Sequence, residues 1–332
     1  MKSIFLGGSQ MFNVFDKEAR GALVKEAGIF EKLLSKNDII ASPADFTDTE
    51  YIFSTWGMPS FTSEEIKKYL PSLKAIFYGA GTVQHFARPF IESGIKVFSA
   101  WGANAVPVAE YTVAQIILAN KGFFTSARMT TSPEGRAAAR KYIDTMHGNY
   151  GATVGIIGAG MIGKLVINML KPYDLKVVVY DPFLSDEKAA ELGVKKASLE
   201  ELFLVSSVIS NHVANLPETV GLINYSHFSL MKDNATFINT GRGAQVVEED
   251  MIRMLEEKPF VTAILDVTLP EPPVEGSKLY TLKNVYLTPH IAGSFGDELA
   301  RMGQYMVDEY RKYKSGVPCQ YEVSLKMLET MA

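Results

Sequence analysis

Three side chains in the last third of the sequence have the types needed for proton transfer on a bound anion: Arg242, Glu271 and His290. Each lies at the end of a short apolar run, in INTGRG (238–243), LDVTLPEPP (265–273) and LTPHIAG (287–293). An arginine offers a planar fork that matches a carboxylate. Histidine exchanges a proton near neutral pH, and a carboxylate beside it orients the ring. Together they predict a site that binds an anionic substrate and moves a proton.

Ordinary structural explanations exist for these residues. A lone histidine is commonly a hydrogen-bonded structural residue, and an arginine between two glycines can close a surface turn. The sequence contains five histidines. His290 is favoured among them because it follows an apolar run at the expected edge of a sheet and has Glu271 as an available partner. We therefore favour the chemical interpretation for His290 and Arg242.

A glycine-rich turn precedes these residues along the chain. It has the pattern G-x-G-x-x-G, follows an apolar run and opens an apolar helix, with the residues Gly158, Gly160, Met161, Ile162 and Gly163. The first glycine permits a tight turn, the second lets the backbone approach a pyrophosphate, and the third lets helix and strand pack closely. The N-terminus of the helix offers N–H groups to phosphates. Because the pattern alone also fits a structural turn, the neighbouring residues must show whether it binds a nucleotide.

An acid follows the next apolar run, VVVY. Asp181 lies 18 residues beyond Gly163, where a carboxylate accepts hydrogen bonds from ribose hydroxyls and repels a 2′-phosphate. Neither Pro182 nor Phe183 supplies a cation. The cofactor predicted is therefore NAD rather than NADP. The alternative is that Asp181 is a cap or turn residue before Pro182.

Composition excludes several functional classes. The 332 residues are 47% hydrophobic and 21% charged, a globular composition. A net charge of -4 gives no basic footprint for nucleic acid. The single cysteine, Cys319, cannot form an intrachain disulfide or a cysteine-rich metal site, which fits a cytoplasmic location and no metal. No run reaches the roughly 18–20 apolar residues of a membrane span, and the N-terminal apolar run is too short for a signal peptide.

The order of apolar runs predicts the architecture. Strand-like and helix-like segments alternate, which indicates an α/β fold with parallel sheets. Six strand-like runs begin at ATVGIIG, the usual count for a dinucleotide-binding sheet. A long helix-like stretch starts at about Pro107, which suits a first helical turn. We expect a substrate domain from 1–103 and 296–332, and an NAD-binding domain from 104–295.

The sequence resembles the D-isomer-specific 2-hydroxyacid dehydrogenase family from about Leu73 to Gly316. The segments that carry the resemblance are GIIGAGMIG, VVVYDPF, LPETVGLIN, MKDNATFINTGRG, LDVTLPEPP and LTPHIAG. It implies two doubly wound, mostly parallel sheets, a Rossmann-type nucleotide domain and a flavodoxin-like substrate domain. The implied activity is NAD-dependent interconversion of 2-oxo and D-2-hydroxy acids. His290 would be the acid/base, Glu271 its partner and Arg242 the binder of the substrate's carboxylate and carbonyl.

The resemblance implies further site residues. Thr240 and Gly241 would line the cofactor, and Asp266 would shape the nicotinamide side of the site. Backbone N–H groups in a loop of the first domain would bind the substrate carboxylate, and a glycine-rich turn can form such an anion nest. The residues at that position are Gly79, Ala80 and Gly81. The family also implies a homodimer formed through the nucleotide domain, with the helical arm at 107–146 as the contact.

The sequence departs from the family at two positions. Val213 and Ala214 follow His212 where the family often has a proline two residues after the histidine, which bears on the nicotinamide contacts. Gly241 stands where alanine is common, and glycine gives either more room or more mobility. The glutamate at 271 argues against the formate-dehydrogenase-like branch, which lacks it.

Alternatives to a simple 2-oxo acid reductase are left open by the sequence. A phosphorylated substrate, as in a phosphoglycerate-type dehydrogenase, needs additional cations, and Lys74 and Arg88 flank the glycine loop. A bulkier 2-oxo acid could instead use an apolar pocket; the aromatic candidates are Trp56, Tyr78 and Trp101, although such residues are more often part of the core. A non-catalytic NAD-sensing scaffold, like the family's corepressors, is distinguished by turnover with a 2-oxo acid.

Overall fold

The computed structural model describes residues 2–329. They fold into two compact units, one made of 2–104 with 294–329 and the other of 105–293. Each unit contains a sheet of mainly parallel strands with apolar clusters on both faces. The predicted fold class, α/β with two doubly wound sheets, is confirmed.

The strands within the described residues are short. In chain order they are β1 Ser3–Leu6, β2 Ile29–Leu34, β3 Tyr51–Ser54, β4 Ala75–Tyr78, β5 Lys96–Ser99, β6 Thr153–Ile157, β7 Lys176–Tyr180, β8 Lys195–Lys196, β9 Val208–Asn211, β10 Thr236–Asn239, β11 Thr262–Leu265, β12 Val285–Leu287 and β13 Glu322–Val323.

The helices range from single turns to twenty residues. In chain order they are α1 Met11–Val14, α2 Lys17–Ala27, α3 Lys36–Ala41, α4 Ser63–Tyr69, α5 Ala87–Glu92, α6 Trp101–Asn120, α7 Phe123–Met129, α8 Pro133–Ile143, α9 Met161–Leu170, α10 Asp186–Leu192, α11 Leu199–Val205, α12 Tyr225–Phe228, α13 Glu248–Glu257 and α14 Leu299–Ser315. None of those described is long and apolar enough to cross a lipid bilayer.

The sheet of the first unit has the order β13-β5-β4-β3-β1-β2. Only β13 runs antiparallel, against β5, and the other five strands follow the flavodoxin-like order 2-1-3-4-5. Alternate strand residues pack on opposite faces. The aromatic face is formed by Phe5, Phe53, Phe77 and Phe98, and the aliphatic face by Ile4, Ile52, Ile76 and Val97. Because both faces are covered, these strands appear in the sequence as continuous apolar runs.

The sheet of the second unit has the order β12-β11-β10-β9-β6-β7-β8, with every pair parallel. If the strands of this unit are numbered from β6 as 1 to β12 as 7, the order read from β8 to β12 is 3-2-1-4-5-6-7. This is the dinucleotide-binding order 3-2-1-4-5-6 with one strand added. The prediction of six strands was wrong by one. The missed strand, Lys195–Lys196, is a two-residue exposed edge, too short and too polar to give an apolar signal.

The long helix α6 begins earlier than predicted. Pro107 lies inside it rather than in its first turn, since the helix starts at Trp101. A proline there removes one helical hydrogen bond. The buried alanines upstream, Ala103 and Ala105, extend the helix by packing its first turns into apolar surroundings.

Candidate active site

His290 lies three residues beyond the end of β12. Its Nδ1 is 2.7 Å from Oε1 of Glu271, and both side chains are open to solvent, 47% and 40% exposed. Its backbone has φ +56°, the left-handed region that few non-glycine residues adopt. Backbone strain of this kind concentrates at functional sites. Because Nδ1 faces the glutamate, Nε2 is the ring nitrogen that can face a ligand.

Asp266 is buried at the end of β11 and holds the loop that carries His290. Its Oδ1 accepts hydrogen bonds from Thr288 Oγ1 at 2.6 Å and from Ile291 N at 2.8 Å, and its Oδ2 accepts one from Ala292 N at 2.9 Å. These partners lie on both sides of His290. The Asp266 carboxylate therefore fixes the position of the loop that carries His290.

Arg242 lies in the turn after β10 and is half-buried. Its Nη1 donates to the carbonyl of Gly241 at 2.7 Å. A Cβ on Gly243 would lie 2.0 Å from the carbonyl carbon of Thr268, so glycine allows this turn to pack directly on the segment that leads to Glu271. Since β10, β11 and β12 are neighbours, their three carboxyl ends share one edge of the sheet. The structure thus brings the Arg242 turn and the His290–Glu271 pair to that edge.

Three buried amide side chains, here called the amide cluster, support the Arg242 turn: Asn211, Asn239 and Gln245. Asn211 Nδ2 donates to Asn239 Oδ1 at 3.0 Å and to Gln245 Oε1 at 2.5 Å. Gln245 Oε1 also accepts from the N–H of Arg242 at 3.1 Å, and Asn239 Nδ2 donates to the carbonyl of Arg242 at 3.2 Å. The N–H and the carbonyl of Arg242 are therefore both hydrogen-bonded to the amide cluster. Our sequence analysis missed this cluster, although polar residues ending the apolar strands VISN and TFIN were a signal.

The amide cluster explains why glycine stands at position 241. A Cβ there would lie 2.7 Å from Gln245 Oε1 and 3.0 Å from Asn211 Nδ2. The N–H of Gly241 donates to Asn239 Oδ1 at 3.1 Å. Of the two sequence interpretations, more room or more mobility, the geometry favours room, because the cluster fills the space that a methyl group would take.

Replacing Gln245 by leucine is expected to lower the free energy of unfolding by about 1–3 kcal/mol, because buried donors on Asn211 and Arg242 lose their acceptor. If the cluster positions Arg242, the KM for the acid substrate should rise more than kcat falls. Denaturant unfolding and steady-state kinetics measure the two effects. Gln304→Leu, which removes a single hydrogen bond to Asp308, is the matched control. An unchanged KM in the Gln245 variant would leave the cluster with a purely structural role.

The glycine turn has the geometry that its pattern predicts. Gly158 has φ +89°, and a Cβ there would lie 2.9 Å from the backbone of His212. A Cβ on Gly163 would lie 2.0 Å from the carbonyl oxygen of Gly158, so both positions require glycine. Gly160, the N-cap of α9, has no atom within 4 Å of such a Cβ. The helix N-terminus, with Met161 exposed and Ile162 half-buried, therefore opens onto free space that suits a pyrophosphate.

Asp181 follows β7 and lies beside that turn. Its Oδ2 accepts from the N–H of Ala159 at 2.7 Å, and its Oδ1 accepts from the N–H of Phe183 at 2.8 Å. The second bond is the turn contact that the structural alternative predicted. The first places the carboxylate next to the glycine turn, where ribose hydroxyls would lie. The residues present thus fit NAD.

His212 is buried near the same edge. Its Nε2 is 2.9 Å from Ser210 Oγ, and its Nδ1 is 3.5 Å from the hydroxyl of Thr240, itself buried. Burial lowers the pKa of His212 to about 3. The ring of His212 is therefore neutral near pH 7.

The loop predicted to bind a carboxylate follows β4 in the first unit. The N–H of Gly79 donates to the carbonyl of Ser54 at 2.7 Å. The carbonyls of Ala80 and Gly81 accept from Ser99 Oγ at 2.8 and 2.5 Å. Among the described hydrogen bonds, the loop N–H groups left for an anion are those of Ala80 and Gly81.

The side chains considered for alternative substrates lie in different surroundings. Lys74 pairs with Glu50 at 2.8 Å, and Arg88 lies 3.7 Å from Glu92, so both cations already have carboxylate partners. Two of the aromatic candidates belong to packed clusters: Tyr78 is buried, and Trp101 packs edge-on against Tyr321. Trp56, by contrast, is 40% exposed.

More than half of the chain matches one family model. Residues 113–292 match the model described as "D-isomer specific 2-hydroxyacid dehydrogenase, NAD binding domain". The matched range contains the glycine turn, Asp181, the amide cluster and all three candidate catalytic residues.

Similar proteins include enzymes named for hydroxy acids. The chain is 32% identical to the D-3-phosphoglycerate dehydrogenase of Archaeoglobus fulgidus over 72% of its own length and 44% of that protein. It is 37% identical to the putative 2-hydroxyacid dehydrogenase YoaD of Bacillus subtilis over 60% of its own length and 58% of that protein. The chain thus spans about half the length of the curated relatives it matches. The apo D-mandelate dehydrogenase of Rhodotorula graminis shares the fold, with TM-score 0.82 at 21% identity over 97% of both chains.

Proposed function

Because the chain belongs to the D-isomer-specific 2-hydroxyacid dehydrogenase family, we propose that it is an NAD-dependent oxidoreductase that interconverts a 2-oxo acid and a D-2-hydroxy acid. The observation that carries this proposal is the hydrogen bond between His290 Nδ1 and Glu271 at the sheet edge that also holds the Arg242 turn. The match of residues 113–292 to the family's NAD-binding domain supports the proposed cofactor. We propose that the domain formed by residues 104–295 binds NAD. The substrate domain is then formed by residues 1–103 and 296–332.

The cofactor would be held by the glycine turn and its acid. The N–H groups at the start of α9 would bind the pyrophosphate, Asp181 the ribose hydroxyls, and Thr240 and Gly241 would line the nicotinamide side with Asp266. When bound, NADH supplies the hydride for reduction and NAD⁺ accepts it in oxidation.

The protein's own groups would bind the acid and move the proton. Arg242 would hold the substrate carboxylate and polarise the carbonyl, together with the N–H groups of Ala80 and Gly81. During reduction, Nε2 of His290 would donate its proton to the carbonyl oxygen, and in oxidation it would take the proton from the hydroxyl. Glu271 would keep the proton on Nδ1 and stabilise the imidazolium.

The reaction is tested by following NADH oxidation across a panel of 2-oxo acids, with NADPH in parallel. Pyruvate, glyoxylate, hydroxypyruvate, phenylpyruvate and 2-oxoisocaproate sample the unphosphorylated acids. Phosphohydroxypyruvate is included because the Archaeoglobus fulgidus relative is named a phosphoglycerate dehydrogenase. Turnover of one or more acids is expected. If NADH binds and no acid is reduced, the proposal fails in favour of a non-catalytic NAD-sensing scaffold.

Replacing Asp181 by asparagine is expected to raise the ratio of kcat/KM for NADPH to that for NADH by about tenfold or more. Asparagine keeps an acceptor for the turn N–H groups but removes the charge that repels a 2′-phosphate. Asp186→Asn is the matched control, since that acid starts α10 and pairs with Lys196. If both variants keep the wild-type ratio, Asp181 does not select the cofactor.

The proposal also includes a homodimer and a cytoplasmic location. An apolar groove of about 490 Å³ lies between α6 and α9, lined by Val113, Ile117, Leu118, Met169 and Tyr173. Leu118 and Tyr173 are 39% and 42% exposed. This surface supports a homodimer formed through the NAD-binding unit. A single cysteine supports a cytoplasmic location.

A further inference from the structure

The first unit contains a cavity of about 930 Å³. Its lining residues come from the segment after β1, from Trp56 after β3 and from residues 294–300, which lead into α14 and include its start. Three aromatic side chains line it: Phe12, Trp56 and Phe295, which are 38%, 40% and 63% exposed. Large aromatic groups left this open are apolar surface that a ligand can cover.

The lining residue Trp56 follows Thr55, and the side chain of Thr55 is hydrogen-bonded to the first residue of the loop assigned to the substrate carboxylate. Strands β1, β3 and β4 are neighbours in the sheet, so the segments after them share its carboxyl edge. The N–H of Gly8 donates to the carbonyl of Trp56 at 2.8 Å, and Thr55 Oγ1 donates to the carbonyl of Gly79 at 2.9 Å. These bonds tie the cavity wall to the start of the Gly79–Gly81 loop. An acid held by that loop would therefore have its side chain beside the cavity.

The charges lining the cavity disfavour a phosphate group. Its described lining contains no lysine or arginine, and it includes two carboxylates, Asp16 and Asp297. Asp16 accepts a hydrogen bond from the N–H of Ala19 at 2.9 Å, at the start of α2. The guanidinium of Arg20 lies over the Phe12 ring, 4.9 Å from its centroid, but it is already paired with Glu31 at 2.9 Å. A phosphate dianion in the cavity would therefore meet two carboxylates, and none of the described lining residues carries a cation to bind it.

We propose that this cavity binds the side chain of the 2-oxo acid, and that this side chain is uncharged and of aromatic size, with Trp56 and Phe295 as the residues that select it. The inference rests on the proposed function and deepens it by naming the substrate class. It separates this chain from an enzyme acting on a phosphorylated hydroxy acid.

The first test compares kcat/KM for three acids with NADH. Phenylpyruvate is expected to exceed pyruvate by about 10- to 100-fold, because the ring covers apolar cavity surface. Phosphohydroxypyruvate is expected to fall below pyruvate. A preference for phosphohydroxypyruvate over phenylpyruvate would overturn the proposal while leaving the reaction type intact.

Variants of the cavity residues then test whether the preference for phenylpyruvate over pyruvate depends on the cavity. Trp56→Ala and Phe295→Ala should each lower kcat/KM for phenylpyruvate by about tenfold and lower that for pyruvate by a smaller factor, because a methyl group covers less of the cavity than a ring does. Phe30→Ala, an equally exposed phenylalanine on β2 outside the cavity, is the matched control and should change neither. Asn13→Arg should raise kcat/KM for phosphohydroxypyruvate by supplying the missing cation. Equal effects on phenylpyruvate and pyruvate would contradict a side-chain site.

Tryptophan emission gives a readout that does not depend on turnover. The chain has two tryptophans, Trp56 and Trp101, so Trp101→Phe isolates the cavity residue. D-phenyllactate should change the emission of Trp56 saturably at concentrations where D-lactate does not. A saturable change without turnover of any acid would refute the reaction and keep the cavity assignment. Turnover without a change would refute the cavity assignment and keep the reaction, and the absence of both would refute both.

Discussion

Replacing His290 by asparagine is expected to lower kcat for 2-oxo acid reduction by about 100- to 10,000-fold, the usual contribution of a positioned general acid. Asparagine tolerates the left-handed backbone of this residue, φ +56°, and can still bond to Glu271, but it cannot deliver a proton. The Kd for NADH should stay within about twofold, since the glycine turn and Asp181 are untouched. Stopped-flow reduction and NADH fluorescence titration measure the two quantities.

The control is His147→Asn, which changes an exposed histidine in the segment after α8. It should retain wild-type kcat and NADH affinity. Activity within tenfold of wild type in the His290 variant would show that another group donates the proton, and the role proposed for the His290–Glu271 pair would be wrong.

Replacing Arg242 by glutamine is expected to lower kcat/KM for the 2-oxo acid by about 30- to 1,000-fold, mainly through KM. The change removes charged hydrogen bonds to the carboxylate, each typically contributing about 1.5–3 kcal/mol. Arg242→Lys restores the charge without the planar fork and should recover only part of the loss. Steady-state kinetics with saturating NADH measures both.

Arg253→Gln is the matched control, because that arginine pairs with Glu257 on the exposed side of α13. It should leave kcat/KM unchanged. Full recovery by lysine at 242 would indicate that charge alone matters, and an unchanged KM in the glutamine variant would remove Arg242 from the substrate site.

Parallel-sheet geometry made much of the site predictable. Arg242, Glu271 and His290 lie 19 to 48 residues apart, yet each follows a strand of one parallel sheet, and carboxyl ends of such strands meet at one edge. The glycine pattern and Asp181 were recognisable for the same reason. Their roles in catalysis and cofactor binding remain predictions until variants are measured.

The asparagines that end two apolar strands were a partial signal for the amide cluster, but the contacts within it depend on strand register. Asn211 and Asn239 end adjacent strands and are directly paired, and Gln245 reaches back from the following turn. No local pattern indicates that these three amides will meet. The contact between these amides also explains why position 241 is glycine, because a larger side chain would collide with the cluster.

Other failures came from tertiary packing overriding local preference. Proline favours a first helical turn, but burial of the preceding residues starts α6 six residues before Pro107. The edge strand Lys195–Lys196 pairs through its backbone with β7 and needs no apolar side chains. The cavity around Trp56 likewise depends on segments almost 240 residues apart, Trp56 and Phe295, coming together in one unit.

The proposed hydride transfer to a 2-oxo acid can be tested by identifying the product of a reaction with NADH deuterated at C4 of the nicotinamide. Phenylpyruvate would be incubated with the wild-type chain and stereospecifically labelled NADH, using each of the two C4 diastereomers in turn. Chiral chromatography with mass detection would then analyse the hydroxy acid. We expect D-phenyllactate that carries deuterium at C2 from one of the two labelled cofactors, and at least about 100-fold less product with the His290→Asn variant at matched times. The L-product, a product without deuterium from either cofactor, or equal product from the His290 variant would contradict the proposal.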